Sequence, residues 1–559
     1  MSFPSFFSST NRSADLITTE NTVFDLIVIG GGVTGAGICL DAASRGLRTL
    51  LLEKKDYASG TSSKSTKLIH GGLRYLKQME LGLVRETGLE RAVVHRLAPH
   101  LVVPEKMLLP LIKGGNYGKW GTSLGLLTYD WLAGVTGNDR RQMLSREQVL
   151  ALEPLLKPDH LTGGGYYAEY RTDDARLTIE LLKKAITYGA RAFNYLQVED
   201  FLYEQEYIAG VICTDHLTGS TRSFRARQVV SASGPWVDGL RQKDQDLGKK
   251  HLFLSKGVHV VFPRAKLPVR QSIYFDVADG RMIFAIPRGQ VTYVGTTDTP
   301  FSGDPNRVLT TRSDVQYLLG AVNATFRHAQ LRESDIISSW AGLRPLIYEA
   351  GKSSSAMSRK DELFESERGL ISIAGGKLTG YRRMAQRTVD LVQQRIRRKG
   401  YSPRPCQTGQ IPLGSTNLLT KPALSHLQEQ VEQRVKSRHL PAYMADYLVH
   451  LYGPQSSFIL DSMSGKNEPQ RALAAAEIRF GLRYEQVTTL ADFFVRRTGM
   501  LYFHNERIPM IREVVTQICQ DTLQWSQAQR EDNDQELDQL IRDATTFYTT
   551  EHLESRANG

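Results

Sequence analysis

The residues whose types and spacing could do chemistry lie first between Phe24 and Glu53. Gly30, Gly32 and Gly35 occupy the three fixed positions of a G-x-G-x-x-G turn. The apolar run Leu26-Ile27-Val28-Ile29 precedes it and an Ala/Gly-rich stretch to Gly46 follows it. In such a turn the first glycine permits the tight bend, the second lets backbone approach a pyrophosphate and the third brings helix and strand together. The helix N-terminus, here Val33 and Thr34, then offers N–H groups to the phosphates. Glu53 ends the next strand about twenty residues on, where a carboxylate accepts hydrogen bonds from ribose hydroxyls and disfavours a 2′-phosphate. A glycine-rich strand end alone is an ordinary turn. Strand, helix, strand and terminal acid together specify a dinucleotide cradle that rejects NADP.

Arg344 is the second candidate. It stands in an apolar frame, Trp340-Ala341-Gly342-Leu343 before it and Pro345-Leu346 after, where an unpaired guanidinium is costly. Something anionic must face it, either an internal carboxylate or a bound anion.

The elements that position these groups must be drawn from 559 residues, enough for two or three domains, and 41% hydrophobic with 23% charged residues is ordinary for a globular chain. No stretch reaches the length of a spanning helix; Leu124 to Val135, the richest, is broken by Tyr129-Asp130. Met1 to Asn21 lacks a charged region leading an apolar core, so Phe3, Phe6 and Phe7 read as a short tail and the protein is expected in the cytoplasm. Cys39, Cys213, Cys406 and Cys519 are too dispersed for a disulfide scaffold, a zinc site or a dithiol motif, and no metal is expected. The net charge is +11; from Arg530 to Gly559 eight acids face three bases, leaving +16 on the rest. A basic body suits an anionic substrate, an anionic membrane surface or nucleic acid, or is simply a solvated surface. No recognition-helix, RNA-binding or zinc signature is present, so nucleic acid is not expected as a partner.

Between Gly60 and Lys67 the chain is polar, then returns abruptly to an apolar run through Leu68, Ile69 and His70 to Arg74-Tyr75. Thr61, Ser62 and Ser65 suit an extended passage along a polar cofactor, against the alternative of a Ser-rich loop. Residues 80–98 read as helix, stopped by Pro99, and Met107 to Ile112 as strand; Lys113 to Trp120 reads as an exposed turn rather than a lipid contact. After a glycine- and tyrosine-rich passage at Gly163 to Tyr167, Arg171 to Leu177 opens a helix. The strand through Val198 and the run from Arg227 to Gly234 return the chain to the cofactor. From 236 to 340, period-two runs such as Gly257 to Phe262 imply an antiparallel sheet, and Gly369 to Gly380 is another strand meeting a helix. Beyond the Lys399 to Pro405 linker, Val487, Leu490, Ala491 and Phe494 show helical spacing. The expected fold is α/β: a discontinuous Rossmann-like dinucleotide-binding domain (21–80, 160–235, 340–400), an antiparallel-sheet substrate domain (81–159, 236–339) and a C-terminal helical domain (401–559), behind a flexible tail (1–20).

Four stretches together closely resemble the FAD-dependent glycerol-3-phosphate dehydrogenases: Gly30 to Gly35, Gly60 to Leu76, Ser339-Trp340-Ala341-Gly342-Leu343-Arg344-Pro345, and Gly375-Gly376-Lys377-Leu378-Thr379. The likeness covers residues 20–525. It implies FAD, oxidation of sn-glycerol 3-phosphate to dihydroxyacetone phosphate, peripheral attachment to the inner face of the cell membrane, and a membrane quinone as acceptor; a homodimer is left open. Oxygen-using oxidases of this kind tend to carry a long insertion between the segments of Arg344 and Lys377, and this chain has no added domain there. A related flavin amine oxidase is the other enzymatic alternative. A phosphomonoester is nearly dianionic and calls for several fixed cations, so the resemblance assigns substrate contacts to Arg74, Tyr75, Arg344, Arg359, Lys377 and Thr379. His259, matching the family's Lys-Gly-x-His, is the expected general base, with a core histidine as the bland alternative. His70, beside Gly71-Gly72, is expected at the cofactor with Gly234, Gly376 and Thr379, and Asp298 is expected to support the sheet or orient other groups. The one departure is Gly380, where relatives often carry a hydroxyl.

Overall fold

The computed structural model describes residues 7–70, 81–115, 140–245, 250–348, 360–396, 402–414, 420–465 and 468–549. The strand Val23–Ile29 is buried at every position but the first, as the continuous apolar run of a parallel strand covered on both faces requires. It pairs in parallel with Thr49–Leu52 on one side and Thr221–Ser231 on the other. Ile371–Gly375 and Arg191–Phe193 extend the parallel order outward, and Asp361–Glu365 with the hairpin Leu196–Glu204 and Tyr207–Asp215 completes an eight-stranded sheet. The helices Val33–Ser44, Asp174–Thr187 and Tyr381–Arg395 lie on one face, their buried sides sharing one core with Val28 and Leu51.

The second sheet has ten strands and is antiparallel apart from one pairing, Ser272–Asp276 beside Val103–Ile112. Its spine is Leu252–Pro263, with Val291–Gly295 on one side and Ser338–Ile347 on the other. One core lies between this sheet and the helix Arg312–Thr325. The opposite face shares a core with the C-terminal helices, where Tyr293 and Trp340 meet Phe493, Leu501 and Phe503.

The structure departs from the sequence reading in four places. Residues 7–20 are not a flexible tail: Phe7 is buried, Arg12–Glu20 is a helix, and the buried Arg12 guanidinium grips Asp215. The glycine-rich passage at 163–165 lies inside a strand, Leu161–Arg171, of the second sheet rather than the first. A Cβ on Gly164 would lie 2.7 Å from Val149, so small residues let the helix Arg146–Leu152 close on this strand. Ser338–Ile347, placed at the edge of the dinucleotide domain by the expected boundaries, likewise belongs wholly to the second sheet. Finally, Val487 precedes the helical segment it was grouped with; Leu490, Ala491 and Phe494 are buried as their spacing implies, but Asp492–Arg497 is π-helical.

Candidate active site

A cavity of about 560 Å3 lies between the two sheets, within the usual range for small-molecule and cofactor sites. Its floor is the glycine turn. Gly30 has φ +111, a conformation that side chains rarely adopt, and a Cβ there would lie 2.6 Å from the Ala232 carbonyl oxygen. Gly35 does not line the cavity; a Cβ on it would fall 1.9 Å from the Gly30 carbonyl oxygen, so its part is the close seating of the helix on the turn. Gly30, Gly32, Val33 and Thr34 face the cavity, with Ser62 Oγ accepting the Val33 N–H at 2.9 Å. Glu53 lines the same end. Its carboxylate accepts the Gly31 N–H at 2.6 Å and the Lys55 N–H at 2.9 Å, so it braces the turn as well as facing the space; burial pushes its pKa up, opposed by those two bonds. Thr61, Ser65, Leu68 and His70 follow the wall as an extended passage, and Val198, Gly234 and Gly376 close it.

The roof comes from the second sheet. Its register sets His259 opposite both Gly295 and Trp340, and Ser255 opposite Arg344. The imidazole of His259 stacks on Trp340 at 4.8 Å between centroids and 14° between planes. Thr66 Oγ1 lies 3.0 Å from its Nε2. His259 is 1% exposed, and burial, reinforced by Arg344 and Lys67, drives its pKa well below the ordinary histidine value, so the ring is neutral at pH 7. Arg344 donates from Nη2 to Thr296 Oγ1 at 2.8 Å and from Nη1 to the Thr297 carbonyl at 3.2 Å, with Asp298 Oδ1 at 3.5 Å. Asp298 also accepts the Ser255 hydroxyl. The carboxylate anticipated as one partner of Arg344 is therefore present, yet Arg344 still lines the cavity, as Lys377 does.

Thr379 is different. Its hydroxyl donates to the His70 carbonyl at 3.1 Å, it is 1% exposed, and it does not line the cavity. Its contribution is to hold the passage that carries His70. Arg74, Tyr75 and Arg359 fall outside the described residues, as does the Asn116 to Trp120 part of the basic loop.

Sequence reasoning missed several residues. Thr66, which holds His259, lies in the polar run and in the stretch that carries the family resemblance, but the sequence assigns it no role. Lys67, 2% exposed with φ +57, is bound by Asp174 Oδ1 at 2.6 Å, and Asp174 also accepts from Ser65. Gly257 and Gly295 make room: a Cβ on the first would lie 2.3 Å from Arg344 Nη2, and on the second 2.2 Å from His259 Cδ2. Gly295 stands directly opposite His259, whereas Gly257 stands opposite Gly342 and meets Arg344 diagonally, and neither meeting is visible until the register is known. Trp236, whose ring carries Lys54 Nζ 3.8 Å from its centroid, walls the Glu53 end.

A glycine cradle on a parallel sheet, roofed by an antiparallel sheet that presents a neutral histidine and an arginine, defines a flavoprotein oxidoreductase architecture. The FAD dependent oxidoreductase family matches residues 25–382, and the C-terminal domain of alpha-glycerophosphate oxidase matches residues 406–530. The aerobic glycerol-3-phosphate dehydrogenase of Bacillus subtilis is 45% identical over 96% of this chain and 98% of its own, and that of Staphylococcus aureus is 46% identical over 94% and 95%. The crystal structure of glycerol-3-phosphate dehydrogenase from Bacillus halodurans complexed with FAD has a TM-score of 0.82 and 40% identity, covering 96% of this chain and 98% of that one. The chain therefore belongs to the FAD-dependent oxidoreductase family, in its glycerol-3-phosphate dehydrogenase branch. FAD is its cofactor, and the cradle fits it: the helix N-terminus, the glycine turn and Glu53 all border one continuous cavity.

Proposed function

We propose that the protein oxidises sn-glycerol 3-phosphate to dihydroxyacetone phosphate and passes the electrons to a membrane quinone. The observation that carries this reading is that His259, Arg344 and Lys377 share one cavity with the dinucleotide cradle. Bound FAD supplies the two-electron acceptor that takes the hydride from C2. The chain's own residues do the rest. Arg344, already fixed by Thr296 and Thr297, presents a guanidinium in a form suited to bidentate phosphate contact, and Lys377 adds a second positive charge. Arg74 and Arg359 complete the cation set on the strength of the family motifs. The C2 hydroxyl proton goes to His259, which is neutral and so ready to accept. Its Nε2 is the nitrogen shared with Thr66; the threonine hydroxyl either gives way to the substrate or carries the proton across, and both routes end on that nitrogen.

Anaerobic addition of glycerol 3-phosphate to the yellow protein is expected to bleach the flavin band, and amino acids are expected to leave it unchanged. Bleaching by an amino acid and not by glycerol 3-phosphate would move the protein to the amine-oxidase class. The quinone acceptor rests on the missing insertion between Arg344 and Lys377 and on the basic body of the chain. Among the described residues no helix is long and apolar enough to cross a membrane, so attachment at the inner face of the cell membrane would be interfacial, and each Lys or Arg near an anionic leaflet contributes about 1 kcal/mol. With anionic vesicles present, quinone reduction should outpace peroxide production. Stoichiometric peroxide without vesicle binding would instead assign an oxidase.

A further inference from the structure

The loop that leaves Glu53 is gripped from outside the cofactor domain. Both of its ends touch Gly31, the middle residue of the phosphate turn: Glu53 accepts the Gly31 N–H, and the Ala58 N–H donates to the Gly31 carbonyl at 3.0 Å. Tyr57 lies against the same residue, its ring so near that a Cβ on Gly31 would sit 2.8 Å from it. Between these anchors Asp56 is completely buried. It accepts from Arg497 Nη1 at 2.7 Å and Nη2 at 2.9 Å, from Arg496 Nε at 2.5 Å, and from Asn194 Nδ2 at 3.1 Å.

Both arginines belong to the π-helical turn Asp492–Arg497 of the C-terminal helical domain. Two successive side chains of this π turn converge on one carboxylate, and π turns recur at functional sites. The grip has further fastenings. Asp492 holds Arg496 at 2.7 Å and accepts the Tyr195 hydroxyl at 2.7 Å, and the Tyr57 hydroxyl donates to Gln486 at 2.6 Å. Burial alone would raise the Asp56 pKa, but Arg497 and Arg496 outweigh it and hold it at about 2, so the carboxylate stays charged.

We propose that Arg496 and Arg497 are positioning residues for FAD: by fixing Asp56 they hold the Glu53–Ala58 loop against the phosphate turn, so that cofactor binding and docking of the C-terminal domain stabilise each other. The proposal rests on FAD binding at the glycine cradle and is independent of the substrate and acceptor. Coupling of this kind is reciprocal, which supplies a test needing no variant. Hydrogen exchange is followed in the full-length protein with FAD bound and after the flavin has been stripped. The amides of Asp492–Arg497 should exchange at least about threefold more slowly with FAD. Slowing at Gly30 to Ala36 without any change at 492–497 overturns the proposal. In a second arm, Arg497→Lys keeps the charge but loses the paired contact; its FAD dissociation constant, followed by flavin fluorescence well below the melting temperature, should rise about tenfold. A lowered melting temperature with the constant within twofold of native would show a purely structural clamp.

Discussion

Gly295→Ala is a single methyl added at the roof of the cavity. Its Cβ would lie 2.2 Å from His259 Cδ2 and 2.7 Å from both Cγ and Nε2, where ordinary contact begins at 3.4 Å. The imidazole must therefore withdraw by on the order of 1 Å, against a dense interior that resists such shifts. It cannot do so while keeping both the 3.0 Å approach to Thr66 and the stack on Trp340. Overpacking of this kind costs about 1–3 kcal/mol. A 1 Å misplacement of a catalytic group costs about a hundredfold in rate, or roughly 2.7 kcal/mol of barrier. The expected outcome is a fold that still holds FAD, because the alanine lies on the roof and not at the phosphate turn, with flavin reduction by glycerol 3-phosphate slowed about a hundredfold in anaerobic stopped flow. His259→Asn should be slowed at least as much. A Gly295→Ala protein that reduces its flavin within about threefold of the native rate would refute the assignment of the base, since the ring cannot be both displaced and catalytically placed.

Gly32→Val should abolish stable FAD binding, read as loss of the visible flavin spectrum after gel filtration: even the Cβ would stand 3.1 Å from Ser62 Oγ, within the space a pyrophosphate must enter. Arg344→Ala should lower kcat/KM for glycerol 3-phosphate by about ten- to a hundredfold, the worth of a charge-assisted contact of roughly 1.5–3 kcal/mol, while leaving the FAD dissociation constant unchanged. Stability should fall with acid. Burial pushes His100 down to about 4 and His450 to about 3, so below about pH 6.5 the unfolded chain takes up protons that the native state refuses. Their stabilisation is thus complete above that pH and is lost on the way down, at up to about 1.4 kcal/mol per pH unit for each site; His100→Gln should flatten the slope of unfolding free energy against pH between 6 and 4.5.

The cradle was legible because its signals are local. A buried strand, three glycines at fixed spacing, a helix and a terminal acid lie within thirty residues, and each is constrained by its immediate neighbours. The roof was legible only as residue types. His259, Gly295 and Trp340 meet through registers among three strands, and nothing at any one of them announces the other two. Thr66 and Lys67 were likewise opaque, because their partners His259 and Asp174 lie far along the chain. The boundary error at 161–171 has a physical cause: glycine ordinarily weakens strands, but here small residues admit the close approach of neighbouring segments, a tertiary demand that local propensity cannot register. The helix at 12–20 is likewise fastened by long-range partners: Arg12 by Asp215 and the Asn194 carbonyl, Glu20 by Arg222, and Leu16 by the core beneath it.

The strand order of the first sheet also bears on how the protein is made. Thr221–Ser231 pairs with Val23–Ile29 along one edge; its other edge is covered by Tyr207–Asp215 as far as Arg225, and at Val230 and Ser231 by Ile371–Gly375, so during translation the end of that second edge stays open until residue 375 has left the ribosome. At about 5–20 residues per second that interval is on the order of ten seconds, long enough for an unpaired edge to capture another chain. Lys377 arrives after that edge closes, and the arginines that grip Asp56 follow more than a hundred residues later. On the positioning proposed for Arg496 and Arg497, a chain interrupted before residue 492 would carry its nucleotide turn and the Glu53–Ala58 loop with Asp56 still ungripped.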